Sequence, residues 1–180
     1  MSDFINYSKG LMEAAKGFRN RAQVMPEGSI KQAYLRAALL HGFSFLEAHL
    51  NYMAEHFHDS QMFSVHERGI LLERDVVFEK GEFQLSQKTK FARMTDRIEL
   101  LLTKCSEDLS AAKGQWYSRL KEAIKIRNAL VHPKEVHALT DVQLREALEA
   151  ILEAVESLYR AVFKKGLPYT KKGLFGGLEI

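Results

Sequence analysis

This 180-residue chain contains three prolines, Pro26, Pro133 and Pro168, and each falls between stretches in which apolar residues recur at helical spacing. Proline cannot continue a helix interior, so long periodic runs bounded by it predict an all-α fold. A first helix is expected over residues 3 to 23. A long second one is expected over 30 to 57, entered through Ser29-x-x-Gln32, with Leu35, Leu39, Gly42, Leu46 and Met53 on its buried face. Ser64-x-x-Glu67 predicts a short helix over 65 to 74, and residues 87 to 104 resume the spacing through Phe91, Met94, Ile98, Leu101 and Leu102. A fifth helix is expected over 115 to 132, stopped by Pro133. A sixth runs from Thr140-x-x-Gln143 to Lys164 along the stripe Leu144, Leu148, Ile151, Val155, Leu158 and Val162. Between the third and fourth, "DVVFEKGEFQLS", residues 75 to 86, reads as a small hairpin or an ordered loop. The expected architecture is a bundle of five to six helices over residues 1–165, followed by a flexible basic tail over 166–180.

Composition narrows the function classes only modestly. With 46% hydrophobic and 27% charged residues the chain can bury one sizeable core, and its net charge of +3 permits a polyanionic partner without demanding one. A lone Cys105 excludes an intramolecular disulfide framework or a multi-cysteine zinc site and fits a reducing compartment, so a cytoplasmic location is expected. The most apolar window, "LRAALLHGFSFLEAHLNYMA", is broken by Arg36, His41, Glu47 and His49, and neither a membrane span nor a signal peptide is expected. Phosphate-cradling glycine loops are absent, and no cofactor is expected.

The stretch "EAIKIRNALVHPKE", residues 122 to 135, carries the chemistry. At about 100° per residue, Leu120, Ala123, Ile124, Ile126, Leu130 and Val131 form one apolar arc, and Arg127 lands inside it. An unpaired guanidinium there would be costly, so Arg127 either has a dedicated partner or lines a crevice that receives an anion. Glu47 in the second helix is the natural counter-charge, either as a buried pair or as a solvated side chain. Lys121, Lys125, Asn128 and His132 form a separate polar stripe. Pro133 biases His132 away from helical dihedrals and sets its ring at the helix terminus, where an imidazole can both take and give a proton near neutral pH. Arginine and histidine separated by four residues is a feeble signal alone: eleven arginines and seven histidines supply roughly 0.4 such pairs by chance. A second instance, Arg36 and His41, lies mid-helix with no stop signal and reads as ordinary surface and core.

"IRNALVHP" resembles the signature of the HEPN superfamily (higher eukaryotes and prokaryotes nucleotide-binding domains), an all-helical fold in which an Arg, often followed by Asn, precedes a His late in a long helix. "FSFLEAHLNYMAE" in the second helix resembles that family's aromatic-plus-acid segment. The resemblance implies a metal-independent endoribonuclease, typically a homodimer with both motif helices at the interface, acting in toxin–antitoxin or antiphage systems, with RNA as substrate and a cognate antitoxin as a candidate partner. Residues 75 to 86 have no counterpart in it.

The residue types suit that chemistry in their own right. RNA carries its nucleophile, the 2′-hydroxyl, so a strand is cut if one group removes that proton and another stabilises charge on the phosphate. His132 would be the base, Arg127 the phosphate clamp, Asn128 a substrate contact or ring orienter, and Lys121 and Lys125 the phosphate path. Arg127 and His132 diverge by roughly 140° on an ideal helix, which favours a site shared between two chains. The competing readings are a non-catalytic nucleotide- or protein-binding helical module using the same crevice, and a structural protein in which "RNALVH" is only a helix terminus. His56 and His58 point about 160° apart on a helix and do not suggest a metal site. Trp116 and Tyr117 read as core.

Overall fold

The computed structural model describes residues 2–167 and is mostly helical, with one small two-stranded sheet. Helix α1 (Ser2–Gln23) packs along α2 (Ser29–His56), which runs through the centre of the molecule. Leu35, Leu39, Phe43, Phe45, Leu46, Leu50 and Met53 of α2 are all buried, because neighbours cover it on several sides. Helix α7 (Asp141–Phe163) crosses it closely: a Cβ on Gly42 would stand 2.5 Å from Leu148 Cδ2, so any larger residue there forces the Leu148 side chain to shift. The stripe Leu144, Leu148, Ile151, Val155 and Leu158 is fully buried. Helices α3 (Val65–Leu72), α4 (Met94–Cys105), α5 (Leu109–Lys113) and α6 (Trp116–Val131) complete the bundle. None of the described helices is long and apolar enough to cross a membrane.

Two capping boxes form as their sequences require. Ser64 accepts from the Glu67 N–H and Thr140 from the Gln143 N–H, and in each case the glutamate or glutamine side chain accepts in turn from the N-cap N–H. The third expected box does not form. Gly28 is the N-cap of α2, and the Gln32 amide instead clamps the backbone of buried Leu139 at both ends, 2.9 Å to its carbonyl and 2.9 Å to its N–H. That long-range pairing ties the 132–140 loop to α2, and Arg36 adds a 3.0 Å bond to the His137 carbonyl.

Residues 75 to 86 form a hairpin, β1 (Arg74–Glu79) against β2 (Glu82–Thr89), antiparallel. Lys80 (φ 53°) and Gly81 (φ 86°) supply the two left-handed residues that a tight hairpin turn needs. Val76 and Leu85 face α3, where Gly69 leaves room for them. The expected helix over 87 to 104 starts only at Met94: β2 continues to Thr89, and Phe91, read as a buried helical position, is 87% exposed. The ladder to β1 outcompetes the helical spacing there. The extra one-turn helix α5, capped by Asp108, brings the described helices to seven, one or two more than expected. Leu167, assigned to the loose tail, is buried, and its N–H donates to Glu156 Oε2 at 2.7 Å. The remainder of that expected tail, 168–180, lies outside the described residues.

Candidate functional site

Arg127 continues the core-facing line of α6 set by Trp116, Leu120 and Ala123, at the point where cover from the other helices runs out. Leu120 and Ala123 are buried, Ile124, Ile126 and Leu130 only partly so, and Val131 is 44% exposed. The guanidinium therefore lies at the mouth of the core rather than within it. Its Nη2 donates to Glu47 Oε1 at 2.9 Å, its Cζ stands 5.7 Å from the centre of the Phe43 ring, and Nη1 reaches Asn128 Oδ1 at 3.3 Å. Phe43 and Glu47 are one turn apart on α2, so one helix face supplies both the aromatic seat and the carboxylate. The Arg127 and Glu47 side chains keep 32% and 43% of their exposure, so the pair meets solvent, while the Arg127 Nε–H is buried without a hydrogen-bond partner among the described residues.

His132 caps the C-terminus of α6 with φ −124° and ψ 63°, its N–H bonded to the Asn128 carbonyl at 2.9 Å. The side chain is exposed and makes no hydrogen bond or ion pair among the described residues. Lys121 Nζ sits 5.1 Å from the centre of the Tyr117 ring, and Lys125 pairs with Glu122 at 2.9 Å on the solvated side of α6. Within one chain, the side chains of Arg127, Asn128 and Glu47 thus come together, whereas those of His132, Lys121 and Lys125 make no hydrogen bond or ion pair with them among the described residues.

One residue of this neighbourhood is not singled out by sequence pattern alone. Arg97 of α4 is 5% exposed, and its Nη2 donates to Asn51 Oδ1 at 2.7 Å while Nη1 pairs with Glu73 Oε2 at 3.3 Å. Burial pushes its pKa down, opposed by the charges of Glu73 and Glu47. Asn51 lies one turn beyond Glu47 on α2, so Arg97 braces the stretch of helix that presents Glu47. A signal does exist: Arg97 falls between Met94, Ile98 and Leu101 on the apolar face of α4, as Arg127 does on α6.

Elsewhere the chemistry is quieter. Arg36 and His41 do not act as a unit, since His41 Nδ1 lies 2.9 Å from the Ala37 carbonyl and Arg36 holds His137. His58 pairs with Asp59 at 2.7 Å, His56 lies against the Phe57 and Phe163 rings, and no group of three or more metal-ligating side chains gathers among the described residues. Burial raises the pKa of the Cys105 thiol, away from reactive thiolate character. Trp116 and Tyr117 are core, Tyr117 donating to Glu99 at 2.5 Å. A cleft of about 550 Å³ between α5 and α7, bordered by Asp108, Trp116, Glu156 and Arg160, shares no residue with the Arg127 neighbourhood.

No family model, curated protein or solved structure matches this chain. What fold and site define together is a mostly helical protein with a small hairpin and an arginine seated between a carboxylate and an aromatic ring.

Proposed function

We propose that this chain is a metal-independent endoribonuclease of HEPN type, cutting RNA by attack of its own 2′-hydroxyl. His132 takes the 2′-proton, the 2′-oxygen bonds to phosphorus, and the 5′-oxygen leaves with a proton from water or an imidazolium. The products are a 2′,3′-cyclic phosphate and a 5′-hydroxyl. Arg127 holds the phosphoryl oxygens as their charge grows, while Glu47 and the Phe43 ring keep its guanidinium oriented. The observation that carries the reading is that oriented arginine, about one-third exposed, on the same helix end as a solvent-facing histidine. Because one chain leaves His132 apart from Arg127, the complete site is assigned to a homodimer in which the partly covered residues Ile124 and Val131 of two α6 helices meet. Action as a toxin held by a cognate antitoxin, or in antiphage defence, belongs to the same proposal.

A second reading has its own support. Arg127 is already paired with Glu47 and unconnected to His132, which would equally suit a non-catalytic module that binds nucleotide or protein. Incubation of single-stranded RNA with the purified protein in chelator separates the two. Cleavage that ends in cyclic phosphate and is lost in His132→Ala supports the nuclease. Tight binding without cleavage by the wild type supports the module.

A further inference from the structure

The segment of residues 88–93, Lys-Thr-Lys-Phe-Ala-Arg, joins the hairpin to α4. Its Phe91 is 87% exposed, the most exposed aromatic side chain among the large hydrophobic residues described. Isolated exposed apolar residues are ordinary on protein surfaces, but this one is held out by its backbone. Glu73, in the left-handed conformation at φ 53°, grips both neighbours: its carbonyl accepts from the Lys90 N–H at 2.8 Å and its Oε1 accepts from the Ala92 N–H at 3.2 Å. Phe91 sits between two residues whose backbone N–H groups are both bonded to Glu73, which fixes the point at which its side chain leaves the surface.

The charge around it has one sign along the chain. Residues 83–95 contain Lys88, Lys90 and Arg93 and no acidic residue. Lys90 pairs with Asp75 at 3.2 Å, and Asp75 also feels the charge of Lys88 at longer range, but Lys88 and Arg93 make no ion pair among the described residues. The same Glu73 carboxylate that grips Ala92 also meets Arg97, and Arg97 holds Asn51 one turn from Glu47. A continuous run of polar contacts therefore fixes this segment to the helix that seats Arg127.

We infer that residues 88–93 are a second contact for single-stranded RNA, with an unpaired base stacked on Phe91 and neighbouring phosphates met by Lys88 and Arg93. An aromatic face between cations complements a nucleobase flanked by phosphates, and stacking of this kind tolerates any base. A duplex, whose bases are already stacked on one another, offers no such face. The inference rests on the RNA reading of the Arg127 site and narrows its substrate to unpaired strands.

The test uses the full chain carrying His132→Ala, so that bound RNA stays intact, and compares a single-stranded oligonucleotide with a duplex of equal length. Adding Phe91→Ala should weaken binding of the single strand roughly 5- to 100-fold and change duplex binding less than about twofold, while Phe91→Tyr retains affinity. Lys88→Gln with Arg93→Gln should flatten the dependence of log affinity on log salt by about 0.7 for each phosphate that is no longer neutralised. Unchanged melting of these surface variants excludes misfolding. Single-strand affinity unaltered by Phe91→Ala overturns the proposal, as does equal weakening for duplex and single strand. Unaltered affinity with loss of a dimer in sedimentation would overturn it too and reassign Phe91 to a protein interface. The nuclease reading stands or falls separately: in the His132-containing enzyme, cleavage with KM unchanged by Phe91→Ala keeps the nuclease and removes the arm, whereas Phe91-dependent binding without any cleavage does the reverse.

Discussion

His49 should make this protein acid-sensitive at a pH where its carboxylates are still ionised. The ring is fully buried on α2, with Nδ1 3.1 Å from the Tyr159 hydroxyl and the Phe4 and Phe45 rings packed against it. Burial pushes its pKa down from 6.5 to about 4, so the native state holds it neutral while the unfolded chain protonates it in the ordinary range. A histidine with a depressed native pKa contributes full stability above about 6.5, loses it progressively as pH falls, and has lost it all below about 4. The shift of about 2.5 units corresponds to about 3 kcal/mol in total, of which about 2 kcal/mol is gone at about pH 5. For a chain of this size that loss lowers the Tm by about 4–8 °C. The carboxylates held low by their partners, Glu67 and Glu99, add their own losses only as pH falls through their ordinary range near 4.5 and below, so the window between about 5 and 6.5 belongs to histidine. Urea unfolding at about pH 7.5 and about pH 5 measures the difference. His49→Gln lowers stability at both values through poorer packing, and what it should abolish is most of the change between them. A His49→Gln variant with the wild-type pH slope would refute the reasoning.

The candidate site yields expectations of its own. His132→Ala should reduce RNA cleavage by at least about 10²-fold with the melt unchanged, while His41→Ala should leave turnover alone; equal losses in an oligonucleotide assay would sink the assignment of the base. Glu47→Ala should cost no more than about 1 kcal/mol in a thermal melt, because both partners of its ion pair keep about a third or more of their exposure. A cost several times larger would mean a guanidinium sealed from solvent. Arg97→Met, by contrast, takes the buried guanidinium from Glu73 and Asn51, which both reach solvent, and should cost about 1–3 kcal/mol, read in the same melts. Sedimentation at micromolar concentration should show a dimer, and RNA affinity should fall steeply with salt; a strict monomer that cuts RNA would retain the chemistry and remove the shared site.

Much of the fold is legible in the sequence because local signals and burial agree. Thr140 and Ser64 cap where their sequences say, and the α7 stripe is buried from Leu144 to Leu158, with Val162 at its end only partly so. Sequence and structure part where a distant partner takes over a local group. Gln32 looks like half of a capping box but binds Leu139, 107 residues away. Residues 87 to 89 fall within the expected helix yet belong to β2, where Thr89 pairs with Arg74, and no periodicity along one strand reports a partner on another. The Arg127 and Glu47 contact is legible for the opposite reason, since a cation inside an apolar arc demands an anion and α2 offers one at its edge. The lack of a bond between Arg127 and His132 agrees with their divergence of roughly 140° on an ideal helix, whereas the docking of Arg97 needs the tertiary structure to place α4 beside α2.

The hairpin leaves the bundle and returns to it at adjacent points, with Arg74 opposite Thr89, and it touches α3 through Val76 and Leu85 beside Gly69 and through Phe83, whose ring lies 5.0 Å from that of His66. Its turn at Lys80 and Gly81 is exposed and far along the chain from every residue of α6. That makes it a modular handle: a fluorophore or an inserted peptide at the turn would report on whatever approaches the outer strands while the helices that seat Arg127 stay as they are.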